Sequence, residues 1–144
     1  MKILVVDKNN ELIKMVQDAI SHLPYTNISV KVGDIFAEEG VIVSASNPYF
    51  SCGGGLDFAI AARGHTPPKE PGRHGSIIWA ITVDENIVSS RELVHDALDF
   101  ACSLVNPDET LLVSGLGTGI GGLSYQDFIS ALLEIIDKIN SLEK

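Results

Sequence analysis

Cysteine is scarce in this chain: Cys52 and Cys102 stand alone, with no CxxC pair. That excludes a disulfide framework and the common cysteine-based zinc and redox motifs. Long apolar runs are also missing. SIIWAITV and ALLEII are far short of the roughly 20 residues needed to cross a bilayer, and Asp7 and Lys8 interrupt the opening MKILVV before it can read as a secretory leader. The expectation is a cytoplasmic protein with no membrane partner. Positive charge is in short supply as well. Ten basic residues face 19 acidic ones, a formal net charge of -9, which opposes nucleic acid as a primary partner, since that binding depends on a positive surface. A phosphate-bearing ligand would then have to be held by backbone N–H groups.

With 144 residues the chain has the size of one ordinary domain, and residues 1–144 are read as a single unit. The order of elements follows from periodicity. KILVVD is a β-branched run leading into ELIKMVQDAISHL, where Leu12, Ile13, Val16, Ala19, Ile20 and Leu23 form one helical stripe that Pro24 ends. NISVKV and VIVSA read as strands and LDFAIAARG as a short helix. The polar, Pro- and Gly-rich HTPPKEPGRHG, His65–Gly75, reads as a surface loop. SIIWAITV follows as a buried strand containing Trp79, a core residue. Ser89 with Glu92 has capping-box spacing for the next helix, and Ser124 with Asp127 repeats it for the last, after which the acidic and basic end of the chain should fray. Strands alternating with helices imply an α/β fold, a three-layer α/β/α sandwich around a mixed, largely parallel sheet. Ligands of such sheets sit outside the carboxyl ends of the strands, where the VGD, SASN and SGLGTG segments lie.

Two glycine runs carry the chemistry. In GLGTGIGG, Gly117, Gly119 and Gly122 have GxGxxG spacing between a strand and a helix. The chain ends with that helix, so the second strand and ribose-binding acid of a dinucleotide fold are missing, as is the Lys of a P-loop. What remains is general physics: glycines let main-chain N–H groups approach an anion, and a helix N-terminus adds partial positive charge. CGGGLD opens a helix in the same way. KILVVD followed by a helix also resembles the receiver domains of two-component signalling. Here Asp7 is followed by Lys8, SASN stands where the acceptor Asp belongs, and the glycine loop has no Lys, so that likeness is set aside. Cys52 reads as a small packing residue or incidental thiol, and the spacing of His22, His65, His74 and His95 matches no metal site.

Taken together, VGDIF, VIVSASN, GGGLDFAIAARG and LLVSGLGTGIGG, in this order, resemble the macro domain family, most closely its small bacterial and phage branch. The resemblance implies an ADP-ribose cleft. Asp34 matches the aspartate that accepts a hydrogen bond from the adenine amine, and Ile35 supplies a neighbouring N–H. Asn47 matches the asparagine of the distal ribose, with Gly53, Gly54, Gly55 and Leu56 in the loop that wraps it. Gly117, Thr118, Gly119, Ile120 and Gly121 match the loop that closes over the diphosphate. Asp57 stands where hydrolytic members carry an aspartate proposed to activate a water, so Asn47 and Asp57 are the candidate catalytic pair. Ser44 replaces the first Asn of the family's NAAN segment, and Gly121 an aromatic residue. Phe36 and Tyr125 are candidates to stack on adenine.

The resemblance therefore implies hydrolysis of an ADP-ribose derivative, such as an ADP-ribosylated carboxylate or O-acetyl-ADP-ribose, without metal or organic cofactor. Alternatives are a reader that binds ADP-ribose without cleaving it, and a pocket for another nucleotide. Gly121 favours the reader; the Asn47-to-Asp57 spacing favours the hydrolase.

Overall fold

In the computed structural model, which describes residues 1–142, the chain is an α/β sandwich built on one six-stranded sheet. Glu143 and Lys144, where fraying is expected, lie outside the described residues. The strands are β1 (Lys2–Asp7), β2 (Ile28–Val32), β3 (Val41–Val43), β4 (Gly72–His74), β5 (Ile77–Trp79) and β6 (Thr110–Val113), in the spatial order β2-β1-β6-β3-β5-β4. All neighbours pair in parallel except β4 and β5. The helices are α1 (Asn10–Ile20), α2 (Gly55–Ala62), α3 (Arg91–Cys102) and α4 (Tyr125–Leu142), with a 3-10 turn at Ile35–Ala37.

The alternation of side chains along each strand divides the core into two layers. Ile3 and Val5 of β1, Val41 and Val43 of β3, and Leu111 and Val113 of β6 face one side, where they pack with the buried stripes of α1, α3 and α4. Val6, Ile42, Ile77, Trp79 and Leu112 face the other, covered by Ile60 of α2, Ile35 of the 3-10 turn and Phe50. Helices on both faces make the three layers. Trp79 is fully buried in the second cluster.

Local chemistry sets several boundaries. Asn9 caps α1 by accepting a hydrogen bond from the Leu12 N–H at 3.1 Å, and that helix ends at Ile20, three residues before the stripe read from the sequence runs out at Leu23. α3 is capped by Ser90, whose hydroxyl accepts from Leu93 N at 3.1 Å, and not by Ser89 as its spacing from Glu92 suggested. Ser89 is committed elsewhere: its hydroxyl donates to the Thr82 carbonyl at 2.6 Å and its N–H to the Gly121 carbonyl at 3.0 Å.

The segment His65–Gly75, read as a loop, contributes the antiparallel edge strand β4. A three-residue strand with glycine in it carries no periodic signal. It is pinned instead by Arg73, which makes a two-pronged pair with the Glu109 carboxylate, 2.7 Å on each arm, and donates to the Leu104 carbonyl. The Arg73 guanidinium holds the Glu109 carboxyl down to about 2. Such a partner lies far away in sequence.

Leu112, fully buried at the centre of the sheet, is a direct measure of this packing. Leu112→Ala should cost about 2–5 kcal/mol in urea unfolding followed by the fluorescence of Trp79, the sole tryptophan.

Candidate functional site

Because β2, β1, β6, β3 and β5 run parallel, their carboxyl ends lie along one edge of the sheet. The segments leaving those ends line one cleft of about 760 Å³. Four inter-strand steps of about 4.8 Å separate β2 from β5, so the row of exits spans about 19 Å.

At the β2 end, Gly33, Asp34 and Ile35 line the cleft. Asp34 caps the 3-10 turn, one carboxylate oxygen accepting from Phe36 N at 2.9 Å; the other oxygen has no hydrogen bond among the described residues. Phe36 also lines the cleft, with the Arg63 guanidinium 3.6 Å from its ring centroid. Of the two aromatics considered as stacking partners, Phe36 alone lines the cleft. Tyr125 is outside the lining, its hydroxyl accepting from Asn9 Nδ2 at 2.6 Å.

The β6 exit supplies the middle of the cleft. Asp7, at the end of β1, accepts from Gly115 N and from Asn9 N, each at 2.9 Å, which ties the glycine loop to the neighbouring strand and to the start of α1. Leu116 plugs the loop into the core. Gly117 has φ +78, a conformation L side chains rarely adopt, and a Cβ there would meet the Ser89 hydroxyl at 2.3 Å. Beyond it, Thr118 is turned back on Gly115 through both its N–H and its hydroxyl. The successive N–H groups of Gly119, Ile120 and Gly121 have no acceptor among the described residues, and all three residues line the cleft.

The second glycine loop lies against the first: a Cβ on Gly54 would come within 2.9 Å of the Ile120 side chain. Gly53, Gly54, Gly55 and Leu56 line the cleft. Gly54 is the N-cap of α2 and has no side chain to satisfy the helix's first amides. That leaves a helix N-terminus, with its partial positive charge, at the cleft wall.

Asn47 and Asp57 both line the cleft and differ in state. The Asn47 amide braces its own loop: Nδ2 donates to Ser51 Oγ at 2.7 Å and Oδ1 accepts from Tyr49 N at 3.0 Å. Asp57 is buried in the first turn of α2, 3% exposed, and accepts from Ala45 N at 3.1 Å. Burial pushes its carboxyl above the ordinary carboxylate range, against the opposing pull of the Ser46 hydroxyl and the Ala45 amide. A carboxylate destabilised in this way is a stronger base than an exposed one. The fully buried Ser44 packs its hydroxyl against that of Ser46, 2.9 Å away, and accepts from Ala80 N.

Gly121 is not simply vacant. A Cβ there would lie 2.8 Å from the Gly117 carbonyl and from Ser89 Cβ, and 2.9 Å from Val83. With the backbone in this position no side chain fits, aromatic or otherwise. Cys52 also reaches the lining, in the left-handed region at φ 53. Burial, with the Asp57 charge, raises its thiol and so keeps it protonated, a poor nucleophile. Among the described residues no His, Cys, Asp and Glu side chains gather as metal ligands.

Sequence reasoning missed the cations. Lys8 and Arg63 line the cleft, so an anion there is not left to main-chain amides alone. Lys8 directly follows the last residue of β1, a position that marks it as a strand-exit residue. Arg63 follows α2, and only the fold brings it over Phe36. Thr82, Val83 and Ile87, at the β5 end, were missed as well. Comparison of the sequence with models of known families and with curated proteins yields no match to either.

The raised Asp57 carboxyl has a signed consequence. Its folded form holds the proton more tightly than its unfolded form, so its contribution to stability falls as pH rises through the window that opens at about 4. Asp57→Asn keeps an acceptor for Ala45 and removes that dependence. The melting temperature of the variant minus that of the wild type should therefore grow more positive from pH 4 to pH 7; a flat or declining difference would contradict the burial argument.

Proposed function

We propose that this chain is a macro-type ADP-ribose-binding domain that hydrolyses an ADP-ribose derivative. The observation that carries the reading is the order of groups along the cleft. An aspartate with a free carboxylate oxygen stands at the β2 end beside an aromatic ring, unpaired amides occupy the middle, and a buried carboxylate lies towards the other end. Adenine, diphosphate and a second ribose present complementary chemistry in the same order. The exocyclic amine donates to Asp34. The diphosphate accepts from Gly119, Ile120 and Gly121, with charge from Lys8 and the α2 N-terminus. The distal ribose comes to rest near Asp57, where a carboxylate of raised basicity takes a proton from water as the water oxygen attacks the ribose carbon bearing the ester and the carboxylate leaves with the electron pair of the broken carbon–oxygen bond. For an acetyl ester the water attacks the acyl carbon instead, and the ribose oxygen leaves and takes up the proton that Asp57 received.

A second reading, a reader that binds ADP-ribose without turnover, draws on two observations. The Asn47 amide is engaged within its own loop, and the packing around Gly121 leaves no room for a ring to fix the distal ribose. Proximity effects demand a held substrate, and both features loosen that hold.

Calorimetry with ADP-ribose is expected to give saturable binding, and Asp34→Ala to weaken it by about 1.5–3 kcal/mol, the range for a hydrogen bond to a charged group. Binding of another nucleotide in place of ADP-ribose would contradict the proposal. A protein mono-ADP-ribosylated on glutamate separates the two readings. Release of ADP-ribose by the wild type and none by Asp57→Asn, with binding retained, is the outcome for a hydrolase; binding without release is the outcome for a reader.

A further inference from the structure

Arg63 lines the cleft without the partner its charge would ordinarily take. The residue is exposed, and no carboxylate pairs with it among the described residues. Two contacts fix its guanidinium instead. Nη1 donates to the Ala59 carbonyl at 3.1 Å, one of the last four carbonyls of α2, which lack partners within the helix. The central carbon of the guanidinium lies 3.6 Å from the centroid of the Phe36 ring, contact distance for a cation held over an aromatic face. Phe36 is itself half-buried and packed against the second core cluster. The ring face that carries the guanidinium is therefore closed, because a base is as thick as the gap and cannot enter it. The surface left open is the outer side of the guanidinium.

The place of this pair along the cleft decides what it meets. Phe36 N donates to the Asp34 carboxylate at 2.9 Å, so the pair adjoins the carboxylate at the β2 end. The free amides lie elsewhere. Ile120 rests against Gly54 at the N-terminal end of α2, whereas Arg63 is the C-cap, about 12 Å away across eight residues of helix. With its guanidinium held on Phe36, Arg63 serves the Asp34 end of the cleft and not the diphosphate. A guanidinium is flat and stacks on π faces, and every nucleobase offers such a face. We propose that Arg63, and not the Phe36 ring, is the platform on which the base of the ligand stacks, giving three layers of ring, guanidinium and base beside the carboxylate of Asp34. This rests on the ADP-ribose reading above and deepens it: the sequence motifs suggest an aromatic ring against the adenine, and the inference puts a cation between the two.

An NMR titration of the wild type with ADP-ribose, with side-chain protons resolved, tests the order of the layers. The δ protons of Arg63 should move upfield in the ring current of the base laid over them, and by more than the ring protons of Phe36, which the guanidinium separates from it. Calorimetry tests the consequence for affinity. Arg63→Ala should bind ADP-ribose about tenfold more weakly, within the range for losing one base-stacking surface, because the base must sink by a layer to reach the ring and so leaves Asp34. Arg63→Lys keeps the charge and loses the plane, and should be weakened as much. A larger upfield shift at Phe36 than at Arg63, wild-type or tighter affinity in Arg63→Ala, or full affinity in Arg63→Lys would each overturn the assignment while leaving the ADP-ribose reading in place. Failure of the wild type to bind ADP-ribose would instead remove that reading, and this inference with it.

Discussion

Parallel pairing is the constraint from which the rest follows. In a parallel sheet every strand delivers its carboxyl end to the same edge, and the segments leaving those ends must turn there before the chain can return. With β2, β1, β6, β3 and β5 aligned in this way, pieces of sequence as distant as Asp34, Asn47, Thr82 and Gly119 are forced into one row. The backbone of such turns has lost its ladder partners. At the β6 exit three amides in succession have no acceptor among the described residues, and at α2 a glycine stands where a capping side chain would otherwise satisfy the first turn. An acidic chain thereby acquires a row of free main-chain donors at one edge of its sheet.

The same edge concentrates groups that cost the free protein stability. A carboxyl buried with its charge disfavoured and a buried threonine hydroxyl without a partner among the described residues are each unfavourable in isolation. They are tolerated because the two apolar layers beneath are densely filled, with Leu111, Leu112 and Val113 of β6 all fully buried, and because Asp7 and Ser89 hold the glycine loop in place from either side. Unsatisfied groups gathered in one cleft and held rigidly are what a preorganised binding site requires.

Most of the architecture was legible in the sequence, because strand and helix periodicities are local and strong: the stripes of α1, α3 and α4 read directly as one buried face each. The glycine-rich exits were legible for a similar reason, since glycine runs between a strand and a helix have few other uses. What escaped depends on contacts between distant residues. β4 exists because Arg73 finds Glu109. Ser89 gives up the cap of α3 to Ser90 because Thr82 and Gly121 claim it. Arg63 reaches the cleft only by lying on Phe36. Asn47 was read as a ligand group from the motif alone, which gave no sign that its amide also braces the loop that carries it. None of these partnerships has a sequence period.

The anion-binding role of the unpaired amides is open to direct observation. In an amide-resolved NMR titration with ADP-ribose, the N–H protons of Gly119, Ile120 and Gly121 should move downfield together as they begin to donate to charged oxygens, saturating along one binding curve. If those resonances stay in place while the ligand saturates elsewhere on the protein, or if no saturation occurs at all, the cleft does not grip a diphosphate in the way described.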